Sequence, residues 1–123
     1  MTTEHRSPCP ISSFLDLWGD RWTLIIIRDM LVGKRRFSDL EAGNEHVPPS
    51  ILADRMKKLI ALGVAERVQY QDKPPRYEYH LTAKGTALRP VLIAMGDWSE
   101  EHLPDRWHTP DWFRAGRHAP GRD

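Results

Sequence analysis

The sequence predicts a mainly α chain carrying a small β-wing (α+β), and three observations support this. Two short amphipathic segments joined by a tight linker span Leu31 to Gly63. A β-rich stretch, a basic proline-bearing tip and a second β-rich stretch follow at once. Apolar helical spacing then marks both ends of the chain. That order of elements predicts a winged helix-turn-helix, a device that lays one helix in a DNA groove and a hairpin beside it.

Each element has its own signal. Residues 1–10 are polar and proline-bearing and read as a flexible arm. Ile11, Phe14, Leu15 and Trp18 recur at helical spacing. Gly19 interrupts, and Asp20 can cap a second helix with Trp22, Ile25, Ile26 and Met30 on one face, ended by Gly33. Ser38 and Glu41 have the spacing of a capping box and predict a short helix stopped at Gly43 and Asn44. Pro48 and Pro49 suit the first turn of the next helix, where a missing N–H costs nothing. Its predicted core face is Leu52, Met56 and Leu59, and Gly63 ends it. From Val64 to Gln71 β-branched and aromatic residues alternate as in a strand; Asp72 to Pro75 form a tip, and Arg76 to Leu81 return with Tyr77, Tyr79 and Leu81 on one face. Thr82 is placed to cap one long last helix through Leu88, Val91, Leu92, Met95 and Trp98, with Pro90 inside it as a kink. Residues 105–123 form a Pro-, Gly-, Arg- and His-rich tail. Its Trp107, Trp112 and Phe113 suit packing on the body or on a partner.

Composition narrows the class. The chain has 123 residues, 40% hydrophobic and 28% charged, enough for one domain over 1–123. The net charge of +1 does not announce nucleic-acid binding, so any such role depends on where the charges lie. One cysteine, Cys9, cannot form an internal disulfide, which points to a reducing, cytoplasmic compartment. The longest apolar stretch, Trp22 to Leu31, is broken by Arg28 and Asp29 and falls short of the ~20 residues of a membrane span. The six histidines are scattered without metal-ligand spacing, and no glycine-rich phosphate loop occurs. No catalytic residue, metal or cofactor is expected, and the chain does not read as an enzyme.

The charges do have a pattern. On a helical wheel of the segment after Pro48, Ser50, Asp54, Lys57 and Ala61 lie opposite the apolar face, with Arg55 and Lys58 on its flanks. A reading helix presents such exposed N-terminal residues to base edges; Ser50 can donate or accept, and Arg55 can fork onto guanine or phosphate. Taken alone, this is also the pattern of an ordinary solvated helix. Lys34, Arg35 and Arg36 precede a helix start where Ser38 could serve as cap and phosphate donor. Lys73 and Arg76 at the wing tip suit a phosphate backbone or a minor groove. Three basic patches in this order favour duplex DNA. Cys9 is either a small buried hydrophobe or a reactive thiol, its pKa lowered by His5 and Arg6.

Longer runs carry a resemblance. CPISSFLDLWGDRWTLIIIRDML, GKRRFSDL, ILADRMKKLIALGVAERV and PPRYEYHLTAKGTALRPVL, followed by Trp98, cover Cys9 to Trp98. Together, the N-terminal Cys-Pro, the Gly-x-x-Arg-Phe-Ser turn and the Pro-Pro-Arg-x-Glu-Tyr-x-Leu-Thr wing resemble the HxlR-type winged helix-turn-helix regulators of bacteria and archaea, relatives of the MarR type. The resemblance implies a sequence-specific transcriptional regulator acting as a homodimer on a palindromic operator, with DNA contacts at Lys34, Arg36, Ser38, Pro49, Ser50, Asp54, Arg55, Lys58, Lys73 and Arg76. It implies N- and C-terminal dimerisation helices meeting through Ile11, Phe14, Leu15, Trp18, Leu92, Met95 and Trp98, so that two reading helices face major grooves about 34 Å apart. It also implies a redox or electrophile signal read through Cys9 in some members and a small-molecule effector in others. The chain departs from the family at Val47-Pro48-Pro49-Ser50, where many members start with Ile-Ser or Pro-Thr-Asn, and at Asp20-Arg21, where many carry Gly-Lys. Two other classes fit the residues: a winged-helix protein-interaction module without DNA, and a sensor with a dimer-interface pocket lined by Trp18, Trp22 and Trp98.

Overall fold

The computed structural model describes residues 5–122. In chain order the elements are α1 (Pro10–Trp18), α2 (Thr23–Val32), α3 (Phe37–Glu41), α4 (Pro49–Ala61), β1 (Ala65–Gln71), β2 (Arg76–Leu81), α5 (Ala83–Thr86), α6 (Arg89–His102) and α7 (Asp111–Arg114). The strands form a two-stranded antiparallel hairpin with Ala65 opposite Leu81 and Gln69 opposite Tyr77; a bulge at Tyr70 brings Gln71 opposite Arg76. This is the mainly helical, winged architecture that the order of apolar periods predicts.

The core gathers side chains of α2, α3 and α4 beside the base of the wing. Leu52, Met56 and Leu59 of α4 are buried together with Ile26, Ile27, Met30 and Leu31 of α2, Leu40 of α3, and Val64. The α4 face is the predicted one. The α2 face is wider: Thr23 and Asp29 are buried too, while Trp22 and Ile25 are only partly covered. A helix covered on most sides shows a weak amphipathic period, so one face was hard to choose. Gly33 and Gly63 follow α2 and α4 at φ 119° and 73°, left-handed conformations that an L side chain rarely adopts.

Two expectations are corrected, on α3 and on the last helix, and the two ends of the chain gain contacts. Ser38 and Glu41 do not make a capping box: α3 starts at Phe37, Arg36 is its N-cap, and no side chain caps it. The last helix is not one kinked rod. Thr82 does cap α5, its hydroxyl accepting from the Gly85 amide at 3.4 Å. That helix ends at Thr86, and a new one, α6, starts at Arg89 with Pro90 in its first turn. Proline cannot donate to the residue four before it and clashes with its carbonyl, so the chain restarts instead of bending. The arm over residues 5–9 is tied down, because Arg6 Nε donates to Asp16 Oδ1 at 2.8 Å; residues 1–4 of the expected arm lie outside the described residues. The tail folds back: Phe113 is buried, Arg89 Nη1 donates to its carbonyl at 2.8 Å, Ala119 N donates to Val32 O at 2.9 Å, and Arg122 grips Asp39 of α3 at 2.6 and 3.1 Å.

Two further links position the wing. Tyr79 N donates to Arg35 O at 2.7 Å, so the segment before α3 runs along the outer edge of β2. Arg36 lies over the Tyr70 ring at 4.7 Å and 3.8 Å from Glu78.

Candidate nucleic-acid interface

The outer stripe of α4 is the one the wheel predicts. Ser50, Asp54, Lys57 and Ala61 are exposed, opposite a face of three buried side chains. Pro48 and Pro49 begin the helix as N-cap and first residue. Neither has an N–H, so the free donors of the first turn are the amides of Ser50 and Ile51. Pro49 and Ser50 are both exposed at this end.

The flanking cations are not free. Arg55 is turned inward, its Nε buried 3.4 Å from Asp20 Oδ2 and without a hydrogen bond, its Nη1 bonded to Asp54. Lys58 donates to the Leu17 carbonyl and lies 5.6 Å from the Trp18 ring. Both fasten α4 to the corner between α1 and α2 in the DNA-free chain. Asp54 is exposed, but its carboxylate is taken up by Arg55.

Asp20 is the centre of that corner. Its carboxylate accepts from the Trp22 amide at 2.8 Å, the Thr23 amide at 2.9 Å, and the Thr23 hydroxyl. Burial pushes its pKa up. The Thr23 hydroxyl, the two amides and the Arg55 guanidinium outweigh burial and hold it at about 2, below the ordinary 3.8. Asp20 thus starts α2, as the sequence suggested, and also neutralises a cation from α4.

Lys34 is likewise largely covered. Its side chain is 16% exposed and its Nζ stands 3.9 Å from the buried Asp29 carboxylate. Arg36 is exposed but rests on the wing, and Ser38 is exposed in the first turn of α3. At the wing tip Lys73, Pro74, Pro75 and Arg76 are all exposed. Gln71 Nε2 donates to the Pro74 carbonyl at 3.2 Å and Gln69 Nε2 to Asp72 Oδ1 at 3.2 Å, which ties the loop to β1. The Lys73–Pro74 peptide is cis. Arg67 stacks over Tyr77 at 4.2 Å on the opposite face of the hairpin from Arg36.

The solvent-facing surface therefore groups Ser50, Lys57 and Pro49 on α4, Ser38 on α3, and Lys73 and Arg76 on the wing. Lys57 was on the predicted outer stripe yet was passed over as a contact in favour of Arg55. The wheel had already placed Arg55 at the edge of the apolar face, a position from which a long side chain can turn inward.

The expected dimer surface divides. Ile11 at 72% exposure, Leu15 at 51%, Met95 at 48% and Trp98 at 59% are open apolar side chains, while Phe14 and Leu92 are partly covered by the core. Trp18 is 5% exposed and belongs to the core. Within one chain, Trp18 is buried, Trp22 lies under Arg21 and Trp98 is exposed, and an apolar cleft beside α2 and α6 is lined by none of the three. Cys9 is exposed at the N-cap of α1. His5 and Arg6, expected to act on it, pair with Asp16 instead.

Among the described residues no helix is long and apolar enough to cross a membrane. No group of three or more His, Cys, Asp or Glu residues among them could hold a metal ion.

Known proteins share this fold. The family model described as HxlR-like helix-turn-helix matches residues 17–106. An uncharacterized HTH-type transcriptional regulator of Mycobacterium tuberculosis is 39% identical over 111 residues, covering 88% of this chain and 70% of the relative. Among solved structures, PA1607, a proposed transcription factor, superimposes with TM-score 0.73 at 35% identity over 85% of this chain and 73% of its own. The redox regulator HypR in its oxidized form superimposes with TM-score 0.68 at 32% identity over 76% of this chain and 97% of its own.

Proposed function

The chain belongs to the HxlR-like helix-turn-helix family of transcriptional regulators, and on that premise we propose that it works as a homodimer on a palindromic operator. In this reading α4 enters the major groove, Ser50 and Lys57 face bases or the phosphates beside them, and Pro49 sets the depth of entry. Ser38 and Arg36 lie towards the backbone, and Lys73 and Arg76 reach the flanking phosphates. The observation that carries it is the split of α4 into a fully buried face and an exposed Ser50–Lys57 stripe beside an exposed basic tip. The open apolar residues of α1 and α6 supply a surface for the second protomer. The role is regulatory rather than enzymatic, and a protein-only winged-helix module would leave the Lys73 and Arg76 tip without a counterpart.

The test is operator selection from random duplexes, beside a gel shift on the gene's own upstream region. Parent protein should enrich one palindromic sequence, and Ser50→Ala and Lys57→Ala should each change the preferred bases or lose the enrichment. If both variants return the parent's site at the parent's strength, α4 does not read the DNA.

A second reading concerns the signal. Cys9 is exposed at the start of a helix bearing the open Ile11 and Leu15, and HypR is a redox regulator by its description. A peroxide would oxidise the Cys9 thiolate to a sulfenic acid, its second oxygen leaving as hydroxide; the Cys9 thiol of the partner protomer could then attack that sulfur, forming an intersubunit disulfide and expelling the sulfenic oxygen as water. Cys9→Ser should lose any oxidant effect on DNA binding. A Cys9→Ser variant that responds like the parent removes Cys9 as sensor.

A further inference from the structure

Away from the DNA-facing surface, a cleft of about 640 Å³ opens between α2, α6 and the returning tail. Its size lies within the ~300–1,000 Å³ common to small-ligand sites. Leu24, Ile25, Leu92, Met95, Trp107 and Trp112 supply most of its apolar wall. The roof from Trp107 to Phe113 lies beyond residues 17–106, so it is a feature of this chain outside the matched family segment.

The charges at the floor are unevenly satisfied. Asp29 accepts from Arg28 Nε at 3.0 Å and Nη2 at 2.8 Å. Arg28 also donates to Glu45 at 2.7 and 2.9 Å, which raises its pKa further. His108 at the rim is hydrogen-bonded to Glu100 at 2.7 Å. Lys34 Nζ is left with only the distant Asp29 oxygen at 3.9 Å, and none of the hydrogen bonds among the described residues engages it. One guanidinium serves both Asp29 and Glu45, so with Lys34 two cations balance two carboxylates at the floor, and of the two cations Lys34 alone lacks a hydrogen-bonded partner. An anion would give Lys34 a hydrogen-bonded partner. The indole of Trp107, 84% exposed at the rim, and the thioether of Met95 offer faces suited to an aromatic ring.

We propose that this cleft binds a small amphipathic monoanion, its aromatic body against Met95, Trp107 and Trp112 and its carboxylate or sulfonate on Lys34 Nζ. The bound molecule would touch both α6, which carries the open apolar face, and Asn44 in the linker to α4. That gives an effector a path to both halves of the regulator. This consequence rests on the DNA-reading assignment, whereas the binding itself does not.

The test uses the full chain and no DNA. Anilinonaphthalene sulfonate is titrated against phenylnaphthylamine, which keeps the ring body without the charge, with probe fluorescence and tryptophan quenching as readouts. One sulfonate site per chain is expected. Lys34→Gln should weaken the sulfonate probe about tenfold, the worth of one charge-assisted hydrogen bond, and leave the neutral probe unchanged. Lys34→Arg should keep the sulfonate affinity, which separates loss of charge from loss of fold. Trp107→Ala should weaken both probes. The proposal is overturned if Lys34→Gln binds the sulfonate like the parent, if Lys34→Arg loses it as Lys34→Gln does, or if Leu103→Ser on the neighbouring exposed surface weakens both probes as much as Trp107→Ala. It is equally overturned if the dimer fills the cleft and no site titrates. A chain that binds the probe but no operator would fail the DNA reading alone.

Discussion

Replacing Asp20 with alanine tests how α4 is held. The Asp20 carboxylate caps the start of α2 and faces the buried Nε of Arg55, and its pKa stands at about 2 against an ordinary 3.8. That gap corresponds to about 2 kcal/mol at roughly 1.4 kcal/mol per pKa unit. Solvent reaches part of the carboxylate, so about 1–2 kcal/mol is the expected loss at neutral pH, in line with the ~1 kcal/mol cost of removing a helix cap. The two figures describe the same bonds and do not add. The pH dependence has a definite sign. The folded pKa is lowered, so the folded state binds fewer protons than the unfolded one below pH 3.8. The stabilisation is complete well above that pH and is lost as pH falls towards about 2, with about half remaining near pH 3. Urea unfolding of parent and Asp20→Ala at pH 7, 5, 4 and 3 measures the difference, and other carboxylates cancel in it. A parent–variant gap that is absent at pH 7, or that stays constant down to pH 3, refutes the reasoning. Operator affinity should also fall in Asp20→Ala although Asp20 touches no DNA, because α4 loses one of its ties to the body.

Three more outcomes are expected. Arg76→Ala should weaken binding to all duplexes alike and flatten the slope of log affinity against log salt by about 1.8, about 0.9 for each protomer's wing; an unchanged slope in a salt titration rules out a phosphate contact at the wing. Trp98→Glu places a charge on the open face of α6, and two-fold symmetry counts the loss twice: about 2 kcal/mol per site raises the dimer dissociation constant about a thousandfold. Light scattering that still gives a dimer at micromolar concentration would show that α6 is not the interface. Phe113→Ala removes the buried anchor of the tail and should cost about 3 kcal/mol while exposing the bonds after Arg114 and Arg117 to trypsin. An unchanged urea midpoint, or a tail that stays protected, would mean the tail contributes nothing to the body.

The sequence was informative wherever the information was periodic. Leu52, Met56 and Leu59 fall on the buried face because one helical repeat determines them, and the wing register follows from two alternating runs around a proline tip. It was silent where a long side chain chose between solvent and a distant partner. Arg55 and Lys58 have the spacing of groove contacts, yet Arg55 meets Asp20 thirty-five positions away and Lys58 the Leu17 carbonyl forty-one away. Lys34 turns towards Asp29 because Gly33 reverses the chain beneath it. Trp18 looks like a surface aromatic of an end helix, but α4 covers it. Pro90 was legible as a disruption and ambiguous in kind, since the residue four before it decides between a bend and a fresh start. Local signals also misled at Ser38, where the N-cap of α3 is Arg36, two residues before the one the capping spacing predicts. The tail was open to either outcome, and only the contacts of Phe113, Ala119 and Arg122 decide it.

The bond from Tyr79 N to Arg35 O, with Arg36 laid on Tyr70 and Glu78, has a mechanical consequence. It welds the root of the hairpin to the entry of α3, so the two can swing only as one lever. A wing displaced by a narrow or wide minor groove then applies torque to α3, and through Leu40 and the core to α4. Base pairs at the flanks of an operator, touched by no base-reading side chain, would thereby contribute to its selection through their stiffness and groove width.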